Sequence, residues 1–95
     1  MFVRVVTFDC KSGMEEQLRE MGRNMLVPIN KDAGCIHAYF LEPSVENDNA
    51  SFGVVSIWPD KETLDTMKHS KRYRTLIQNM SPLIESLTDC LYLTD

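Results

Sequence analysis

The chain has no apolar run near the roughly 18 residues that a membrane-spanning helix requires, so no membrane span is expected. It has no basic excess either. Ten Lys and Arg stand against fourteen Asp and Glu, a net charge of −4, which argues against a nucleic-acid or anionic-membrane surface because either would want a basic stripe. Cysteine is scarce: Cys10, Cys35 and Cys90 are widely spaced and form no Cys-x-x-Cys, so a secreted disulfide framework is not expected. There is no Gly-rich phosphate loop, no Ser-His-Asp order and no outstanding carboxylate pair, and nothing asks for a nucleotide, a flavin or any other cofactor. The first residues, Met1 to Phe8, show neither the charged leader nor the small-residue cleavage site of a signal peptide. A small cytoplasmic protein is the expectation.

What is present is ordinary globular composition, 43% apolar and 25% charged over 95 residues, enough for one domain spanning residues 1–95. Phe2 to Phe8 is β-branched and aromatic and reads as a strand. Ser12-Gly13-Met14-Glu15 reads as a capping box opening a helix, with Met14, Leu18, Met21, Met25 and Leu26 at helical spacing until Pro28 ends or kinks it. Cys35 to Glu42 and Ser51 to Trp58 read as a hairpin around the polar stretch 43–50. Pro59-Asp60 starts a second helical region, with a fresh N-cap at Ser70 leading into Tyr73, Leu76, Ile77 and Met80. Ser81-Pro82 reads as a further cap and helical first turn before Leu83, Ile84 and Leu87, and Thr88 to Thr94 as a last strand. The order β-α-β-β-α-β is that of an α+β ferredoxin-like fold, a four-stranded antiparallel sheet with helices on one face.

Both faces of the strands are apolar. Phe52, Val54 and Trp58 alternate with Val55 and Ile57, and Phe2, Val6 and Phe8 alternate with Val3 and Val5. Helices cover only one face, so the other would remain a large exposed apolar patch in a monomer. A homodimer packed sheet to sheet is the expected remedy, with His37 and Tyr39 on that face.

Four segments in order carry a resemblance: Lys11-Ser12-Gly13 with Glu15-Glu16, Asp32-Ala33-Gly34-Cys35-Ile36, Ser56-Ile57-Trp58-Pro59-Asp60-Lys61-Glu62, and Ser70-Lys71-Arg72-Tyr73. Together they resemble the antibiotic-biosynthesis monooxygenase-like proteins, over essentially the whole chain. The resemblance implies a dimeric α+β barrel with a pocket between sheet and helices. It also implies cofactor-independent oxidation of a small quinol-like or phenolic aromatic by O2. Met67 stands where that family often keeps a His, and Ser56 where it often keeps a Glu. The haem-degrading branch wants an Asn, a Trp and a His in regions that here hold Thr7, Met67 and Leu76 to Met80, which argues against haem degradation.

Within that frame Trp58, Tyr73 and Met67 are the candidate substrate-binding residues. Trp58 is a flat wall for stacking or simply a core aromatic. Tyr73 is the first apolar contact of its helix, and its flanking Arg72 and Arg74 are either anion holders or a solvated face. His69 is the candidate catalytic base, since a neutral imidazole can remove a phenolic proton near pH 7; its other reading is an exposed His beside Lys68 and Lys71. Cys35 and His37 share one strand face, but no second ligand pair at zinc-like spacing exists, so no metal is expected. Two classes of function follow: a cofactor-independent monooxygenase, or a non-catalytic dimeric small-molecule-binding or regulatory module on the same fold.

Overall fold

The β-branched run at the start of the chain forms β1 (Phe2–Cys10) and occupies the centre of the sheet. In the computed structural model, which describes residues 1–44, 46 and 49–95, β1 is followed by α1 (Glu15–Met21), a π-helical turn (Gly22–Leu26) and α2 (Val27–Asp32). Then come β2 (His37–Leu41), β3 (Phe52–Trp58), α3 (Lys61–Lys68), α4 (Lys71–Met80), a 3-10 turn (Ser81–Leu83) and β4 (Ile84–Leu93). The strand order is β2-β3-β1-β4 and every pairing is antiparallel. This is the ferredoxin-like α+β arrangement. Val45, Asn47 and Asp48 of the hairpin loop lie outside the described residues.

Period-two alternation sets the two faces of the sheet. Phe8, Phe52, Val54 and Trp58 turn towards the helices and join Leu18, Leu64 and Met80 in the core. Val3, Val5, Val55 and Ile57 point the other way and are half-buried, while His37, Tyr39 and Tyr92 on that face are exposed.

Two local expectations are corrected, and a third, that Pro28 ends or kinks the helix, is narrowed. The Ser12 capping box does not form: Gly13 turns the chain at φ +87°, the helix starts at Glu15 without a side-chain cap, and Glu15 Oε1 accepts from the Gly13 amide at 3.1 Å. Pro28 does not end the helix. Lacking an N–H, it is accommodated by the wide turn before it, in which the Val27 amide bonds to the Gly22 carbonyl five residues back, and helix continues to Asp32. Ser81-Pro82 opens only a 3-10 turn, and Ile84 to Leu87 belong to β4. The whole length of β1 is there to pair with, and that ladder overrides the short helical pattern.

Asp60 and Ser70 do cap their helices. Asp60 accepts from the Thr63 amide at 2.7 Å, and Ser70 Oγ accepts from the Tyr73 amide at 3.2 Å while donating to the Met67 carbonyl at 2.7 Å.

Candidate functional site

Leu26 and Asn30 stand one turn apart on the first helical segment, and Tyr73, Ile77 and Met80 repeat at i, i+4 and i+7 on α4. These two stripes roof a cavity of about 210 Å³ whose floor is the helix-facing side of β1, β3 and β4. Its lining is mostly apolar, and Ile77 and Leu87, both partly exposed, mark its mouth between α4 and β4. Four polar side chains reach it: Arg4, Asn30, Ser56 and Tyr73. A larger hollow of about 760 Å³ lies at the hairpin-loop end, lined by Asp9, Glu15 and Glu85 among others. It is open and faces solvent, so the enclosed cavity is the better ligand site.

Arg4 is the central feature of the polar end. It projects from the core-facing parity of β1 and is only 7% exposed. Its Nε donates to Asp89 Oδ1 at 3.0 Å and its Nη2 to Asp89 Oδ2 at 2.6 Å, a bidentate grip between neighbouring strands. The guanidinium carbon lies 5.7 Å from the centroid of the Tyr73 ring, within cation–π range. Burial works against the Arg4 charge, but its hydrogen bond to the Asp89 carboxylate and its electrostatic and hydrogen-bonding contact with Tyr73 outweigh it, so its pKa is raised. The hydrogen bond from Arg4 holds the Asp89 carboxyl below the usual carboxylate range against its partial burial, with Lys68 adding to the effect. The pair is therefore ionised on both sides.

Ser56 and Asn30 are both buried. Ser56 Oγ accepts from Trp58 Nε1 at 2.8 Å, and Asn30 Nδ2 donates to the Leu26 carbonyl at 2.8 Å.

Of the residues singled out from sequence, Tyr73 lines this cavity. Trp58 is 0% exposed and is not among the lining residues, but it is bonded to one of them, Ser56. Met67 is buried in the core and does not line the cavity either. His69 is exposed at the C-terminal end of α3, and its Nδ1 lies 2.7 Å from the Asp65 carbonyl. A carbonyl can only accept, so Nδ1 is the donor in this contact. Arg72 pairs with Asp32 at 2.8 Å on the outside of the helices, and Arg74 is exposed. Arg4, Asn30, Ser56 and Asp89 were not singled out as site residues. Arg4 had a signal, being a cation on the parity of Phe2, Val6 and Phe8. Among the described residues no three His, Cys, Asp or Glu side chains converge in a way that could hold a metal ion.

The fold recurs among solved structures. The chain superposes on a candidate antibiotic biosynthesis monooxygenase from Nitrosomonas europaea with a TM-score of 0.83 at 18% identity, covering 99% of this chain and 98% of that one. A conserved protein from Methanosarcina mazei Go1 gives 0.82 at 18%, covering 100% and 94%. Protein SO0527 from Shewanella oneidensis gives 0.79 at 24%, covering 96% and 87%. At these identities the likeness is one of fold. No curated protein matches the sequence. The family model for antibiotic biosynthesis monooxygenase, however, matches residues 1–79, and the chain belongs to that family.

Proposed function

We propose that the protein is a cofactor-independent monooxygenase acting on a small quinol-like or phenolic aromatic with O2. The observation that carries this reading is the enclosed, mostly apolar cavity with a buried, ionised arginine and a tyrosine ring at one end, in a chain of this family. A cavity of roughly 150 Å³ is enough for benzene, so about 210 Å³ suits one substituted ring. An aromatic anion in such a pocket is electron-rich and can reduce O2 itself, so the substrate supplies the electrons and no flavin or metal is required.

For 1,4-hydroquinone the reaction balances as hydroquinone plus O2 giving 2-hydroxy-1,4-benzoquinone plus water. The ring anion, its phenolic proton released, gives one electron to O2, and the two radicals combine into a C–O bond at the neighbouring ring carbon, where the peroxide takes up a proton. The O–O bond and that carbon's C–H bond then break with loss of water, leaving a carbonyl there, and the proton of the second phenolic O–H moves to that oxygen, so that both original phenolic oxygens end as C=O. The protein's part is to bind the ring, favour its anion and exclude bulk water.

The reading includes a homodimer through the uncovered sheet face, supported by Tyr39 at 54% and Tyr92 at 56% exposure beside Val3, Val5, Val55 and Ile57. It includes a cytoplasmic location, supported by three unpaired cysteines.

A second reading, a non-catalytic small-molecule-binding module, is favoured by one observation: among the described residues no imidazole or carboxylate lines the cavity. Oxygen uptake with 1,4-hydroquinone, without added flavin or metal, separates the two. Uptake matched mole for mole by hydroxyquinone supports the monooxygenase. Saturable binding with no uptake above the buffer rate overturns it in favour of the module.

A further inference from the structure

The uncovered face of the sheet carries almost no charge. The four strands contain a single Lys or Arg, Arg4, and it faces the helices. Their three carboxylates are Asp9, Glu85 and Asp89. Asp89 is on the helix side with Arg4, and Glu85 stands in the irregular start of β4. Asp9 lies at the hairpin end, where the Ser51 and Ser86 hydroxyls donate to its two oxygens at 2.8 and 2.7 Å.

His37 is the exception. It is exposed on β2, opposite Ile57 of β3, in the row that also holds Val3 and Tyr92. Its ring stacks on Tyr39 with centroids 6.0 Å apart and 19° between the planes. Of the two strands that flank its side chain, β2 offers one titratable group, Tyr39, and β3 offers none. Asp9 is six residues along β1 from Val3, about 20 Å at the rise of a strand. The Met1 amino group lies beyond the end of β1 and donates to the Thr94 carbonyl at 2.9 Å. Imidazole is the side chain that ordinarily changes charge between pH 5 and 8. Tyrosine and cysteine, the other titratable types in the middle of this face, ordinarily keep their protons there.

We propose that the uncovered face is a self-association surface gated by protonation of His37. Neutral imidazoles let two sheets close on one another, and imidazolium drives them apart. This gives the homodimer of the reading above its regulation, and it rests on that homodimer. A second copy is the occupant that the charge pattern fits, since a face without cations meets its own image with no like-charge repulsion until His37 takes up a proton. A two-fold axis along the strands lays β4 of the copy over β2, and one across the strands lays β2 over β2. On the uncovered side β2 has no carboxylate, and β4 has none from Ser86 onward. An imidazolium covered there loses water and gains no counter-ion. The monomer therefore binds two more protons per pair of chains than the dimer does, and acid favours the monomer. The net charge of −4 acts the other way. It shrinks on acidification, and weaker self-repulsion would tighten the dimer, so the direction of the change identifies its source.

The test is sedimentation of the intact chain at fixed ionic strength, with circular dichroism confirming the fold at each pH. Between pH 7.5 and 5.5 the dissociation constant should rise by about a hundredfold, as two ordinary imidazoles protonated only in the monomer require. His37→Gln, which cannot ionise, should dimerise with a flat pH profile, and His37→Lys should be monomeric already at pH 7.5. The chain has two histidines, so a response that survives His69→Ala belongs to His37 even if a variant at position 37 fails to fold. A rise smaller than about fivefold, a dimer that tightens in acid, or a response retained in His37→Gln overturns the proposal and leaves the homodimer standing. A monomer at both pH values overturns the two together.

Discussion

Trp58 is tied to a wall of the cavity through Ser56: its buried indole N–H donates to Ser56 Oγ at 2.8 Å, two positions back on the same face of β3. The bond ties a core aromatic to a cavity wall. Ser56→Ala would strand the indole N–H in the core, and an unsatisfied buried donor costs about 1–3 kcal/mol. The urea midpoint should fall accordingly, and Ser56→Thr, which keeps the hydroxyl, should recover part of the loss. An unchanged midpoint in Ser56→Ala would show that the indole finds another acceptor.

Acid should act on the Arg4–Asp89 pair. The carboxyl of Asp89 is held below its ordinary value of 3.8 by the hydrogen bond from Arg4. A group whose pKa is lower folded than unfolded stabilises the protein fully above the unfolded value and loses that contribution as pH falls through the folded one. Stability should therefore decline below about pH 4. The slope should be shallower in Arg4→Met/Asp89→Leu, with a remainder from Asp9, Asp60 and Asp65, which hydrogen bonds also hold low. Equal slopes in unfolding free energy for the two proteins would count against an ionised pair.

The uncovered sheet face predicts assembly. Light scattering at micromolar concentration should give twice the chain mass. Tyr39→Asp or Val55→Asp should split the dimer or drive aggregation, because an unpaired charge buried between two sheets costs several kcal/mol. Phe52, on the opposite parity and already in the core, offers the contrast: Phe52→Ala should destabilise each subunit by about 3–5 kcal/mol without a specific effect on association. A wild-type monomer at that concentration would remove the sheet-to-sheet arrangement.

His69 and Tyr73 should separate in a ligand-binding series. His69 is exposed and tied to the Asp65 carbonyl, so His69→Ala should leave nitrophenol affinity within about twofold of wild type, as surface changes usually do. Tyr73 lines the cavity beside Arg4, and Tyr73→Ala should weaken binding by about tenfold through lost aromatic contact. If His69→Ala instead abolished oxygen uptake while binding persisted, the imidazole would have to reach the ligand by a rearrangement of the α3–α4 junction.

The roof of the cavity was legible because helical spacing alone groups Tyr73, Ile77 and Met80 on one stripe, and all three line the site. The faces of β1 and β3 were legible from alternation for the same reason. The polar end was harder. Arg4 on the parity of Phe2 and Phe8 announces a buried cation, but its partner could not be read, since Ser81-Pro82 followed by Leu83, Ile84 and Leu87 mimics a helical turn and hides the start of β4. The pairing of Val6 with Asp89 that brings this carboxylate beside Arg4 is a property of long-range register, and register between strands about eighty residues apart leaves no local trace. Asn30 was concealed in a different way: it follows Pro28, where a helix was expected to stop or bend, and only the π-helical turn carries it on to the cavity.

Gly22 opens that π-helical turn, and a Cβ added there would run into the ring of Phe40 on β2. The same turn carries Leu26, so the absence of one methyl group lets the roof settle onto the floor. The headroom of the chamber is thus governed by a residue that no ligand touches. A larger side chain at position 22 would jack the roof upward and rescale the guest that fits, leaving Arg4, Ser56 and Asp89 in place on the strands below.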